Sequence, residues 1–244
     1  MKYLVTGGAG FIGSHLCDAL LENNHQVIVL DDFSTGKQEN LDAKVQVIEG
    51  CITRPSDVAK AIKDVNGVFH LAAVASVTRS VEHWAKTHRI NQSGAVEVFD
   101  KAAQMQVPVV YASSAAVYGD NEILPLDEKA ETRPLSPYGL DKLACEWQAQ
   151  VGNRIKGLKS VGLRFFNVYG PRQDSKSPYS GVISIFADKL KLAEPITIFG
   201  DGEQTRDFIY VADIVRTLKA SMDKLHSGDI AQLVSNACTE KSVS

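Results

Sequence analysis

Short apolar runs alternate with longer amphipathic stretches over the first two thirds of the chain. KYLVT (2–6) precedes a glycine-rich turn and a helical pattern from Phe11 to about Asn23. QVIVL (26–30) runs into Asp31 and Asp32, VQVI (45–48) ends near a glycine, and GVFHLAA (67–73) ends in small residues. A long helical stretch from about Val81 to Gln106 leads into PVVYASS (108–114), and a helix from Pro137 to about Ile155 leads into SVGLRFF (160–166). Continuous apolar runs between helices are what strands buried on both faces of a parallel sheet require. The pattern therefore predicts an α/β protein with a doubly wound, Rossmann-type parallel sheet whose site lies at the carboxyl ends of the strands. After Asn167 the pattern loosens. Glycine and proline recur at Gly170, Pro171, Pro178, Gly181, Pro195, Gly200 and Gly202, which suggests a smaller lobe.

The first turn narrows the chemistry. In TGGAGFIGSHL (6–16), Gly7, Gly10 and Gly13 stand between a strand and a helix. Glycines are needed where backbone turns tightly, approaches a pyrophosphate or packs helix on strand, and the helix N-terminus then faces the phosphates. Asp31, at the end of the second strand, can hydrogen-bond a ribose diol and would repel a 2′-phosphate. That selects NAD over NADP. Residues 1–166 are read as the NAD-binding domain.

SPYGLDK (136–142) adds a helix start, with Ser136 as N-cap and Pro137 at the first helical position. Tyr138 and Lys142, four apart, share one helix face. A free phenol titrates near pH 10, at about which it is useless as a base in neutral solution. A neighbouring ammonium favours the phenolate. Ser114, at the end of the YASS run, can hydrogen-bond a reacting hydroxyl. These three are the candidate catalytic residues.

Composition changes this picture little. A chain of 244 residues, 44% hydrophobic, can bury a sizeable core. Its net charge of −3 argues against a broad nucleic-acid footprint. No apolar run approaches the roughly 18 residues of a membrane span. The first residues enter a strand without a leader-like segment, and Cys17, Cys51, Cys145 and Cys238 lack paired spacing. The expectation is a cytoplasmic protein with reduced thiols, no nucleic-acid partner and no membrane. The six histidines show no metal-ligand spacing, so no metal is expected. Trp84 and Trp147 are read as packing residues.

Taken together, TGGAGFIGSHL, DDFSTGKQENL, HLAAVASVTRSVE, YASSAAVYGD, SPYGLDK, LRFFNVYGPRQ and FGDGEQTRDFIYVAD resemble the extended short-chain dehydrogenase/reductase family. Within it they are most similar to NAD-dependent nucleotide-sugar 4-epimerases acting on UDP-galactose or UDP-N-acetylglucosamine. The resemblance runs from residue 1 to about 236. It implies tightly held NAD lined by Phe11, Ile12, Asp31, Asp32, Ser34, Thr35, Gly36, Ile52, Leu71, Ala72, Ala73, Asn91, Tyr138, Lys142 and Phe166. It also implies a UDP-sugar met by Ser76, Ser114, Asn167 and Arg206, and a homodimer formed by two helices bearing Val96, Phe99, Leu143, Trp147 and Val151. Relatives that dehydrate a sugar place an Asp–Glu pair after the serine or threonine. Ala115 and Ala116 cannot move a proton, which favours epimerisation over 4,6-dehydration. Cys51 stands where relatives usually have an aspartate near the adenine. Residues 167–244 are read as a partial substrate-binding lobe, interleaved with the first domain and truncated relative to the family. A truncated fold that binds NAD without turnover is the non-enzymatic alternative. Small residues at Ala75, Ser76 and Ala116 leave room for an N-acetyl group, placing UDP-GlcNAc/UDP-GalNAc slightly ahead of UDP-glucose/UDP-galactose.

Overall fold

The computed structural model describes residues 1–174, 181–198 and 200–237. Among these residues the strands are β1 (Lys2–Thr6), β2 (Gln26–Asp31), β3 (Gln46–Glu49), β4 (Gly67–His70), β5 (Val109–Ser114), β6 (Ser160–Phe165), β7 (Asn167–Tyr169), β8 (Phe208–Tyr210) and β9 (Gln232–Ala237). The helices are α1 (Phe11–Glu22), α2 (Pro55–Ala61), α3 (Val77–Glu82), α4 (Trp84–His88), α5 (Gly94–Gln104), α6 (Pro137–Lys156), α7 (Val182–Lys191) and α8 (Val211–Ser227). Seven strands form one parallel sheet in the order β3-β2-β1-β4-β5-β6-β9, and β7 pairs with β8 in a small separate ribbon.

The two faces of the sheet account for the continuous apolar runs. Successive side chains of a strand point to opposite faces, so a strand covered on both sides must be apolar throughout. Leu4, Ile28, Val68, Val109 and Tyr111 pack against Val58, Val98, Phe99, Cys145 and Ala149 from α2, α5 and α6. Their neighbours Tyr3, Val5, Val27, Val29, Phe69 and Val110 pack against Leu16, Leu20, Ile214, Leu218 and Met222 from α1 and α8. At roughly 2 kcal/mol for each large apolar side chain buried, these two layers supply the main driving force for folding.

The long helix expected from Val81 to Gln106 is instead broken. His83 leaves the helical region between α3 and α4 (φ −127°, ψ 47°), and Arg89–Ser93 forms a π-helical turn before α5. Asn91, in that turn, accepts from the Val74 amide at 2.8 Å and donates to the Val74 carbonyl at 3.2 Å. A π-turn re-aims a side chain relative to a regular helix; here it delivers Asn91 to the loop after β4. The chain after Asn167 does not stand wholly apart. α8 packs on α1 and against β7 and β8, and β9 completes the main sheet. No described helix is long and apolar enough to cross a membrane. Cys238 and Pro178 lie outside the described residues.

A buried polar pair joins the two central strands. Thr6 and His70 are opposite each other in the β1–β4 ladder, with Thr6 Oγ1 2.8 Å from His70 Nδ1. Thr6 Oγ1 also accepts from the Ala72 amide at 3.3 Å, so the pair is tied to the loop after β4 as well. Burial, and secondarily the Lys142 charge, push the His70 pKa down to about 3. An unfolded histidine binds its proton at about 6.5, so the unfolded chain takes up a proton that the folded chain refuses. Stability from neutral His70 is therefore complete above about pH 6.5 and lost as pH falls towards 3. Chemical denaturation across this window should show wild type losing about 1.4 kcal/mol more per pH unit than a His70→Gln variant.

Candidate active site

The chain leaves β1 towards β2 on one side and β4 towards β5 on the other, so a crevice opens at the carboxyl ends of these strands. It forms a cleft of about 720 Å³. Gly7, Gly10, Phe11, Ile12 and Gly13 line it from the first turn, and Asp31, Asp32, Ser34, Thr35 and Gly36 line it after β2. Ile52 contributes from beyond β3, and Leu71, Ala72 and Ala73 from beyond β4. Ser114, Tyr138, Lys142 and Phe166 line the opposite end.

The glycine turn is built by exclusion of side chains. Gly7 has φ +71°, and a Cβ there would lie 2.7 Å from the Ala72 amide nitrogen. At Gly13 a Cβ would lie 2.2 Å from the Gly7 carbonyl oxygen. No side chain caps α1, whose N-cap is Gly10, and its first turn carries no acidic residue. Such a terminus suits a phosphate. Asp31, 8% exposed, accepts from the Ala9 amide and from the Phe33 amide, each at 2.9 Å. Burial raises its pKa, and those two bonds oppose the rise. Its carboxylate thus ties the glycine turn to the end of β2 and still presents lone pairs to the cleft.

α6 sets the other end. Its first amides are accounted for individually. Pro137 has none, Tyr138 N donates to Ser80 Oγ at 3.1 Å, and Gly139 N donates to Ser136 Oγ at 3.1 Å. Ser80 is fully buried and passes its own proton to the Val77 carbonyl at 2.6 Å. α3 thereby holds the backbone of Tyr138 from outside the helix. Lys142 is 5% exposed, donates to the Ala112 carbonyl at 2.9 Å, and lies 5.9 Å from the centre of the Tyr138 ring. Ser114 ends β5, and its hydroxyl accepts from the Ala116 amide at 3.1 Å, capping the short turn Ala115–Val117. Among the described residues no three His, Cys, Asp or Glu side chains are placed to hold a metal ion.

Four expected residues do not line the cleft. Asn91 is buried and clasps Val74. Ser76 is buried as the N-cap of α3, accepting from the Arg79 amide at 3.1 Å. Asn167 donates to the Asp207 carbonyl at 2.9 Å, and Arg206 is exposed, donating to the Thr205 carbonyl at 2.7 Å and to Gln204 at 3.2 Å. Conversely, Arg172, Gln173 and Asp174 line the cleft without having been singled out. Arg172, in a left-handed conformation (φ 65°), pairs with Asp18 of α1 at 2.7 Å, and the Pro171 carbonyl lies 2.9 Å from His15 Nε2. No local signal in the sequence marks a contact between segments so far apart.

The profile of the NAD dependent epimerase/dehydratase family matches residues 3–235. The chain belongs to that family. It is 45% identical over 217 residues to a Methanocaldococcus jannaschii protein provisionally named a UDP-glucose 4-epimerase, covering 87% of this chain and 70% of that protein. Two solved structures are each 38% identical to it. One is UDP-glucose 4-epimerase of Thermotoga maritima with UDP-glucose (TM-score 0.92, covering 99% of this chain and 78% of the other). The other is UDP-N-acetylglucosamine 4-epimerase of Methanobrevibacter ruminantium M1 with UDP-N-acetylmuramic acid (TM-score 0.91, covering 97% and 76%). The glycine turn of this family member suits the pyrophosphate of NAD, and Asp31 suits the adenosine ribose. The turn is a sensitive point. Gly13→Ala should destabilise the fold by about 1–3 kcal/mol and weaken NAD binding, because the added carbon meets backbone that cannot rotate away. Thermal melting and calorimetric titration with NAD check both effects.

Proposed function

We propose that the protein interconverts the two C4 epimers of a UDP-sugar by transient oxidation at that carbon. The observation that carries this reading is the Tyr138–Lys142–Ser114 group at the end of an NAD-type cleft, next to a turn without ionisable side chains. Bound NAD supplies a hydride acceptor that can give the hydride back. Tyr138 takes the proton of the sugar 4-hydroxyl and returns it, with the Lys142 ammonium beside its ring, one helical turn along α6. Ser114 hydrogen-bonds the same oxygen and orients it. Dehydration would need an acid for the leaving hydroxyl, and Ala115 and Ala116 offer none. Returning the hydride to the same carbon needs no second acid.

Ala75, exposed at the cleft wall, leaves space beside the sugar and supports an N-acetylhexosamine slightly ahead of a plain hexose. Incubation with UDP-galactose, UDP-GalNAc and UDP-galacturonate, followed by separation of the products, tests the reading. C4 epimers support it, whereas a UV-absorbing 4-keto-6-deoxy product assigns a dehydratase. Tyr138→Phe keeps the ring and removes the base, so turnover should fall on the order of 10²–10⁴-fold with NAD still bound. Near-wild-type turnover would place the base elsewhere.

A homodimer belongs to the same reading. Phe99 and Leu143 are core residues, 4% and 3% exposed, and do not serve an interface. The outer face of α6 instead carries Leu140, Trp147, Val151 and Ile155, with Val81 and Trp84 exposed on the adjacent α3 and α4. Trp84 and Trp147, expected as packing residues, are 62% and 56% exposed. An apolar stripe of this length on a helix is the surface a second copy would cover. Light scattering at micromolar concentration should give a dimer mass for wild type and a monomer mass for Trp147→Glu; a monomeric wild type refutes the pairing.

A further inference from the structure

The two serines that end β5 have different partners. Both line the cleft, but the hydroxyl of Ser113, which is 2% exposed, donates to Glu146 Oε1 of α6 at 2.5 Å. Glu146 is equally buried and accepts twice from Arg164 of β6, Nε to Oε1 at 2.9 Å and NH2 to Oε2 at 2.7 Å. The remaining guanidinium nitrogen of Arg164 donates to the Tyr118 hydroxyl at 2.7 Å. Tyr118 in turn donates to Asn236 Oδ1 of β9 at 2.6 Å. The strand pairing produces this arrangement. Ser113 is opposite Arg164, and Arg164 is opposite Asn236. The three residues form one polar row across β5, β6 and β9. It lies one residue before the row Ser114, Phe165 and Ala237.

The row meets the catalytic helix at a defined place. Tyr138, Lys142 and Glu146 are spaced four apart and share one stripe of α6. Lys142 bonds the carbonyl of Ala112 and Glu146 bonds the hydroxyl of Ser113, so α6 is tied to β5 at the two residues before Ser114. A bidentate pair removed from water holds its geometry tightly, because each partner would be left as an unpaired buried charge if the other moved.

We infer that Ser113, Glu146 and Arg164 are positioning residues for the reaction. They hold the end of β5 against α6, so that the Ser114 hydroxyl stands at a set distance from Tyr138 and Lys142. Glu146 and Arg164 do so from outside the cleft lining, and Ser113 does so with its hydroxyl turned to Glu146. The inference rests on the 4-epimerase reading for its catalytic consequence, and on the geometry alone for its structural one.

Ser113→Ala removes one donor and leaves the Glu146–Arg164 pair intact, so the fold is retained; Ser113→Thr restores the hydroxyl. The expected result for Ser113→Ala is a kcat lowered about tenfold, since small misplacements at a reacting centre are costly, with KM and NAD content near wild type. Ser113→Thr should recover most of the rate, and a purely structural role would not give that split. Amide hydrogen exchange needs no substrate. In Ser113→Ala, the amides of Ser114, Ala115 and Ala116 should exchange faster, with the rest of the sheet unchanged. A wild-type kcat in Ser113→Ala overturns the inference. If the wild type epimerises no UDP-sugar, the functional reading fails by itself, and unchanged exchange at residues 114–116 then overturns the positioning as well.

Discussion

The turn after β1 can lie where it does only because position 7 has no side chain. With a Cβ at Gly7 the backbone of Leu71 and Ala72 would have to retreat, since the nearest atoms would stand 2.7–3.0 Å away. That contact joins the two halves of the sheet at the point where their connections diverge, and the floor of the cleft is made from it. The surrounding bonds serve the same juncture. Thr6 holds both the Ala72 amide and His70, and Asn91 clasps Val74 from the opposite side. The loop after β4 is thus gripped from β1 and from the π-turn together. A cofactor laid across it meets a surface already ordered, which lowers the entropy lost on binding.

α6 has a double assignment. Its inner stripe carries Tyr138, Lys142 and Glu146, and its outer stripe is apolar and exposed. Both ends are well terminated, by Ser136 and Ser80 at the start and by Gly157 in a left-handed conformation at the close. A helix so fixed can present chemistry on one side and association on the other without either being disturbed by fraying.

Much of this was legible in the sequence, for physical reasons that differ by element. The first six strands were visible because burial on both faces demands uninterrupted apolar runs, and the cofactor turn because only glycine satisfies its contacts, whereas β7, β8 and β9 went unread in the looser tail. Tyr138 and Lys142 were visible because helical spacing alone brings them to one face. The break at His83 was not, since no proline or glycine marks it. Arg172, Gln173 and Asp174 escaped for a similar reason, as the Pro171–His15 and Arg172–Asp18 contacts that tether this segment join positions about 155 residues apart. Phe99 and Trp147 show the limit of periodicity. Both sit on apolar stripes, but one stripe faces the sheet and the other faces outward, and only packing distinguishes them. Ser113 is next to Ser114 in the chain, yet its partner is a glutamate on the neighbouring layer.

The polar row through Ser113, Arg164 and Asn236 also bears on how the chain finds its pairing. Strands as uniformly apolar as β5 and β6 are poorly specified by hydrophobicity alone, because a slip by two residues keeps every apolar side chain on its proper face. Such a slip here would carry Arg164 past both of its cross-strand neighbours and strand a buried charge. The mispaired sheet becomes a high-energy alternative where an all-apolar one would have been nearly degenerate with the correct fold. The same residues thus proofread the alignment of three strands whose partners lie about 50 to 70 positions apart along the chain.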